Sequence, residues 1–304
     1  MRFTMEYPIR SHVDGGAWLR PENVKRFAQH VEKVGMSALA VTDHPAPSRK
    51  WLDGGGHETF DPYAALTFLA AVTTNLKLMT RLIVVPYRNP LVQARSMMTV
   101  DVLSSGRSIF ALGVGYLRSE FLALGVNFEE RNELFDEAVD VMKKVFVAES
   151  FEYNGKHFKS LSQCIVPTVV QTPHPPLWLG GNSKKTLERV AQWADGWSVL
   201  FGDAKVAQTS RTPAITCNAD LRVTLVDLQA RLERHGRTLA DIDLDVSSEA
   251  ANMTNGLSLQ ERLDRIAELK EMGATWIGVH VNTDSVQAAC DDVQRFCEEV
   301  AAKV

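Results

Sequence analysis

The sequence predicts a single (β/α)8 TIM barrel, and three observations carry that prediction. Eight short apolar runs alternate with longer segments whose apolar residues recur at helical spacing. The spacers are long enough for helical crossovers, which parallel strands need. The 304 residues contain neither an internal repeat nor a linker, and an α/β barrel fills that length as one domain, here 1–304. A doubly wound open sheet is the rival arrangement.

The elements follow in order. Residues 2–7 (RFTMEY) read as the first strand. Pro21 opens a helix at its first position; Val24, Phe27, Ala28, Val31 and Val34 share one face, and Gly35 closes it. Strand 37–42, helix 62–74, strand 77–85, helix 91–103 and strand 108–113 come next, with SSGR at 104–107 as a turn. A long helix over 129–147 carries Leu134, Ala138, Val141, Met142 and Val145 as its stripe. The rhythm then breaks. Residues 150–175 hold Asn154-Gly155 between aromatic arms, a β-hairpin signal, so an insertion is expected between helix four and strand five. Strand 177–181, helix 183–194 and strand 196–201 resume the alternation, and 202–217 reads as a polar loop. Helix 219–235, strand 243–247, a helix to 272 opened by a Ser258/Glu261 capping box, strand 275–281 and a C-terminal helix complete the set.

Composition excludes several function classes. A net charge of −4 offers no nucleic-acid footprint and no pull toward an anionic membrane. No apolar run reaches the roughly 18 residues of a membrane span, and MRFTMEYPIR lacks a signal-peptide core. Cys164, Cys217, Cys290 and Cys297 show no C-x-x-C spacing and read as reduced thiols of a cytoplasmic protein without a zinc site.

Barrel enzymes carry their chemistry at the C-terminal ends of strands and in the loops beyond. That rule selects Asp43-His44, Pro86 to Asn89, Gly113 to Glu120, Gly180 to Lys184 and Phe201-Gly202. A histidine side chain such as His44 can exchange a proton with a reacting group, and Asp43 can hold the ring or meet a cofactor; the bland alternative is a loop cap beside an interior histidine. In LGGNSKK (179–185), Gly180 and Gly181 leave a strand, while Asn182 and Ser183 open a helix whose unpaired N–H groups suit a phosphate. An ordinary glycine turn would read the same way. In the loop after strand two, Trp51 and His57 are candidate substrate contacts, as is Tyr116 after strand four; a floppy surface loop is the competing reading. Gly113 and Gly115 are architecture first and too weakly spaced for a dinucleotide fingerprint, but they stand among the candidate cofactor contacts.

Two strings leave anonymity behind. PYRNPLVQARSMMTVDVLSSGRSIFALGVGYLRSEFLALGVNFEERNELFDEAV and PHPPLWLGGNSKKTLERVAQWADGW resemble the bacterial luciferase-like superfamily, and TDHP at 42–45 resembles its branch that uses the deazaflavin coenzyme F420. The resemblance is strong over residues 1 to about 200 and weak beyond. It implies a barrel with an insertion after the fourth helix and a flavin-type cofactor across the C-terminal mouth. It puts the cofactor phosphate on Gly180, Gly181, Asn182 and Ser183, and a strand-three bulge with a cis Arg81–Leu82 bond behind the ring, flanked by Thr80 and Ile83. Relatives usually have a small residue where this chain has Arg81. The resemblance also implies that Asp43 bonds the deazaflavin head and that His44 faces the reacting centre. The sugar-phosphate-oxidising branch has a glutamate shortly after strand four; Tyr116 and Leu117 stand there instead, which argues against that substrate. Asp101, Arg107, Glu120 and Arg131 match family positions and read as structural ion-pair partners.

The leading expectation is therefore an F420-dependent oxidoreductase moving a hydride to or from a small organic molecule. An FMN-dependent monooxygenase using O2 is the alternative, and a non-catalytic flavin-binding barrel a further one. A metal-dependent barrel hydrolase lacks its His-x-His after strand one. A homodimer is expected through helices 62–74 and 91–103, which are apolar for barrel surface helices.

Overall fold

The computed structural model describes residues 1–304. In chain order the elements are β1 (Arg2–Glu6), α1 (Pro21–Lys33), β2 (Ala38–Val41), α2 (Arg49–Asp53), α3 (Pro62–Val72), β3 (Lys77–Val84), α4 (Pro90–Leu103) and β4 (Ser108–Gly113). Then come α5 (Arg118–Ala123), α6 (Arg131–Val147), β5 (Phe151–Asn154), β6 (Lys159–Gln163), β7 (Leu177–Gly180), α7 (Lys184–Gln192) and β8 (Gly196–Val199). The chain finishes with α8 (Ala204–Ser210), α9 (Asn218–Arg234), β9 (Asp243–Asn252), α10 (Leu259–Glu271), β10 (Trp276–His280) and α11 (Val286–Glu299). Eight strands close a barrel in the order β1-β10-β9-β8-β7-β4-β3-β2, and β5 pairs antiparallel with β6 outside it. This is the expected (β/α)8 fold with its hairpin insertion. No helix is long and apolar enough to cross a membrane.

Contacts divide the chain into two compact units. The first comprises Met1–Ala40, Asn75–Lys77 and Trp178–Val304. Its core is built around Trp178, Trp197, Trp276 and Phe27, all fully buried. Gly196 is required there: a Cβ would stand 2.6 Å from the Trp178 indole. The polar loop expected at 202–217 contains α8, a helix too short to show a period, capped by Asp203 accepting from Val206 N–H. β9 runs five residues past its expected end because Arg262 of α10 donates to the Ala250 and Asn252 carbonyls, a tertiary anchor with no local signature.

The second unit comprises Val41–Thr74 and Leu78–Leu177. The hairpin is held to α6 by Glu137, whose carboxylate accepts the His157 and Phe158 N–H groups. Asp101 is fully buried and accepts from Ser108 Oγ, Val170 N–H and Gln171 N–H, tying the returning segment to β4. Arg107 donates to the carbonyls of Ala70, Thr73 and Ser104, and Arg131 caps Phe128, its guanidinium 3.9 Å from the ring centre. These three residues hold the chain together through hydrogen bonds and stacking. Two further helices were not foreseen. α2 spans five residues and α5 six, each barely more than a turn.

Candidate active site

Asp43 and His44 follow β2, whose four residues are all buried. Asp43 is 1% exposed and fully engaged by the chain. Arg88 donates to both its oxygens, at 2.6 and 2.8 Å, and the Val84 N–H donates at 3.1 Å. Such a two-pronged pair fixes geometry as well as charge. Burial pulls the Arg88 guanidinium down, but hydrogen bonds and charge from Asp43 outweigh it and leave Arg88 above its ordinary value. Asp43 thus joins the end of β2 to the β3–α4 connection. Both carboxylate oxygens expected to meet the cofactor head are engaged by Arg88.

His44 is held at three points. Its N–H and carbonyl both bond the Thr59 hydroxyl, at 3.2 Å each. Its Nδ1 lies 3.0 Å from Glu120 Oε2. Glu120 is fully buried on the first turn of α5 and is ringed by donors: the Tyr87 hydroxyl at 2.9 Å, the Ala46 N–H at 3.2 Å and the imidazole. Burial and then the Glu120 charge push the Tyr87 phenol far up, so Tyr87 stays a donor. With the other donors aimed at this carboxylate, a proton on Nδ1 matches its acceptor character and leaves Nε2 on the opposite side of the ring. Nε2 lies 3.5 Å from the Tyr116 hydroxyl.

Aromatic rings surround this imidazole. Trp51 of α2 lies 4.4 Å from it between ring centres, His57 5.0 Å and Tyr116 5.9 Å. Trp51 reaches this place because Gly56 has no side chain; a Cβ there would stand 2.3 Å from the indole. Burial, then the neighbouring His44, pushes His57 down to about 4. The three residues expected to meet substrate are therefore brought together over the expected catalytic histidine.

Other expected site residues have structural jobs. Thr80 is fully buried and donates to the Ala111 carbonyl, so it does not face a ligand. The Arg81–Leu82 peptide is cis, and the β3–β4 register shifts between Thr80 and Ile83. The space over Gly113 is filled by Leu82, 2.5 Å from a would-be Cβ, and that over Gly115 by Val84 and Phe121. These glycines make room for the chain's own side chains rather than for a cofactor.

In the first unit, Gly180, Gly181 and Ser183 are half-buried at the start of α7. Gly181 has a φ of +99°, and its N–H bonds the Ser198 carbonyl. Asn182 is engaged within the chain: its N–H goes to Thr212 Oγ1, its amide to the Leu200 and Pro213 carbonyls, and its side-chain oxygen accepts from Leu200 N–H. It ties the loop after β8 to the start of α7. Ser183 Oγ caps the helix through Thr186 N–H.

Sequence reasoning placed Tyr87, Arg88 and Glu120 within the selected segments Pro86 to Asn89 and Gly113 to Glu120 but gave none of them a role beside His44, and it missed Thr59. A faint signal existed for three of them, since Tyr87, Arg88 and Glu120 fall in loops or first turns beyond strand ends.

Residues 1–252 match the luciferase-like monooxygenase family, and the chain belongs to it. An uncharacterized protein of Sinorhizobium fredii is 30% identical over 128 residues, 42% of this chain and 36% of that relative, so the match spans about a third of the relative's length. Among solved structures, the monooxygenase RslO1 from Streptomyces bottropensis superposes with a TM-score of 0.82 at 18% identity, covering 100% of this chain and 99% of that one. The coenzyme F420 dependent tetrahydromethanopterin reductase from Methanopyrus kandleri superposes at 0.72 and 17% identity, covering 99% of each chain. At these identities the two structures share the fold with this chain.

Proposed function

We propose that the protein is an oxidoreductase that moves a hydride between coenzyme F420 and a small organic substrate, with His44 handling the proton. The observation that carries this reading is the Nδ1 contact to Glu120, which leaves Nε2 as the exchanging nitrogen in an aromatic surround. An imidazole and a phenol, with the oxygens of Glu120 and Asp43 already bonded within the chain, suit an organic redox ring better than a metal ion. The deazaflavin, when bound, supplies or accepts two electrons as hydride. His44 Nε2 takes the proton of a substrate O–H as the hydride leaves carbon, or returns it in the reverse direction. Tyr116 orients the same oxygen. In the first unit Gly180, Gly181 and Ser183 are proposed phosphate contacts; in the second Arg81 and Leu82 are proposed ring contacts, and Asp43 positions His44 through the β3–α4 connection.

An FMN-dependent monooxygenase is the second reading, and the family supports it, since its description is luciferase-like monooxygenase. Parallel titration of the purified protein with F420 and FMN separates the two. Tight F420 binding and substrate turnover without oxygen support the first. Preference for FMN with oxygen consumption replaces it with the second. The protein is further proposed to act in the cytoplasm as a homodimer through α3 and α4, which expose Phe68, Val92 and Leu103.

A further inference from the structure

Tyr87 closes the short turn Val85–Tyr87 beyond β3, and Arg88 follows it. These two neighbours reach the two members of the Asp43-His44 pair by different routes. Arg88 grips Asp43 directly, whereas Tyr87 reaches His44 through Glu120. We infer that Tyr87 is a positioning residue for the proton exchange at His44: its hydroxyl shares the Glu120 oxygen that holds the imidazole, and this sharing limits how tightly Glu120 grips the ring. The inference rests on the proposed role of His44 and adds the residue that adjusts it.

One atom carries both contacts. Glu120 Oε2 accepts the Tyr87 hydroxyl at 2.9 Å and lies 3.0 Å from His44 Nδ1. Two donors on one oxygen draw on the same electron density, so each bond is weaker than it would be alone. The other oxygen, Oε1, is held by the Ala46 N–H at 3.2 Å. Glu120 is fully buried, so water does not step in for a missing donor, and hydrogen bonds are stronger there than in water. Density that Tyr87 releases at Oε2 therefore goes to the imidazole.

The chemistry of the donor matters. An arginine or lysine at Oε2 would neutralise the carboxylate and loosen its hold on His44 altogether. A phenol divides the oxygen and leaves the charge in place. Burial and then the Glu120 charge keep this phenol far above its ordinary value, with Asp43 and Tyr116 pushing the same way, so it remains a donor. Its ring has a separate task. Tyr87 packs edge-on against Phe121, with 4.9 Å between ring centres, in a cluster with Val84 and Phe128. Removing the hydroxyl alone therefore separates the polar role from the packing role.

The test is NMR of the whole 15N-labelled protein without cofactor or substrate, at one pH and temperature for every variant. The His44 Nδ1–H proton resonance reads the strength of the bond to Glu120. The Nδ1 nitrogen shift, detected through the carbon-bound ring protons, reads it again even where the N–H exchanges with water. His44→Gln assigns these signals by removing them, and Glu120→Gln, a weaker acceptor, should move them upfield. Tyr87→Phe should move both downfield. 3-Fluorotyrosine placed at position 87 keeps the ring and the fold and donates more strongly, so it should move both upfield. The inference is overturned if the folded Tyr87→Phe variant leaves both signals in place or moves them upfield, or if the fluorinated ring leaves them unmoved. No cofactor is present, so that result leaves the choice between F420 and FMN to the parallel titration.

Discussion

His44 and Glu120 are 76 residues apart in the chain and 3.0 Å apart in space, imidazole Nδ1 to carboxylate Oε2. One side chain follows β2 and the other opens α5 beyond β4. Their contact places a carboxylate on one nitrogen of the imidazole, and such a partner decides what the other nitrogen can do.

Glu120→Gln tests that relationship. A carboxamide presents an N–H as well as an oxygen to three donors and no longer selects the His44 tautomer. Turnover should fall about 100-fold, by the usual weight of positioned acid–base groups, with KM little changed. The thermal midpoint is measured beside the rate. An unchanged rate in a folded variant would reduce Glu120 to a structural role.

Arg88→Ala leaves the Asp43 carboxylate buried and uncompensated. The expected loss is about 3–5 kcal/mol of unfolding free energy, as for other broken buried pairs. Urea denaturation reads it directly. Adding Asp43→Asn should restore part of the loss, since the orphan charge is then gone; failure of that rescue would mean that Arg88 stabilises by packing on Tyr63, whose ring centre lies 5.7 Å away.

His57 makes stability depend on pH. Its folded value is lowered from 6.5 to about 4, mainly by burial and then by His44. Between those values the unfolded chain binds a proton that the folded chain refuses, so stability is full above about 6.5 and declines as pH falls toward 4. His57 is exposed as a residue, and that solvent makes the decline shallow. A histidine NMR titration should place its midpoint well below 6, and His57→Gln should flatten the stability profile between pH 4 and 6.5. A midpoint near 6.5 would show that the ring is fully solvated.

Gly115→Ala should destabilise the second unit by about 1–3 kcal/mol, the usual range for an overpacked core. Its φ is +79°, and an added Cβ would meet Val84 at 2.6 Å and Phe121 at 2.8 Å. Because this residue sets the path from β4 to α5, the variant should also weaken the hold of Glu120 on His44. Loss of stability without loss of rate would separate the two effects.

Val92→Arg addresses assembly. Val92 is 63% exposed on α4, and a charge there should not disturb the core. Analytical ultracentrifugation should find the unaltered protein at twice the chain mass and the variant at one. A monomer in both cases removes the proposed dimer.

Much of the fold was legible in the sequence because its signals are local. The apolar runs, the Pro21 start, the Asn154-Gly155 hairpin and the Ser258/Glu261 capping box each act within a few residues, and each element appears where its pattern lies. Short α2, α5 and α8 escaped because a turn or two of helix carries no period. The extension of β9 escaped because Arg262 of α10 enforces it.

By itself the sequence determined the barrel, its hairpin insertion and the position of Asp43 and His44 beyond a strand. Tertiary structure alone decided what those residues do. Asp43 is tied up by Arg88, His44 is aimed by Glu120, and Trp51, His57 and Tyr116 converge on it. It also decided that Thr80, Gly113, Gly115 and Asn182 build the scaffold, because their partners Ala111, Leu82, Val84 and Thr212 come from elsewhere in the chain. The reason is physical. Helix and strand signals depend on neighbours along the chain, whereas a proton's direction depends on which acceptor is 3 Å away, and closing the barrel brings that acceptor across 76 residues.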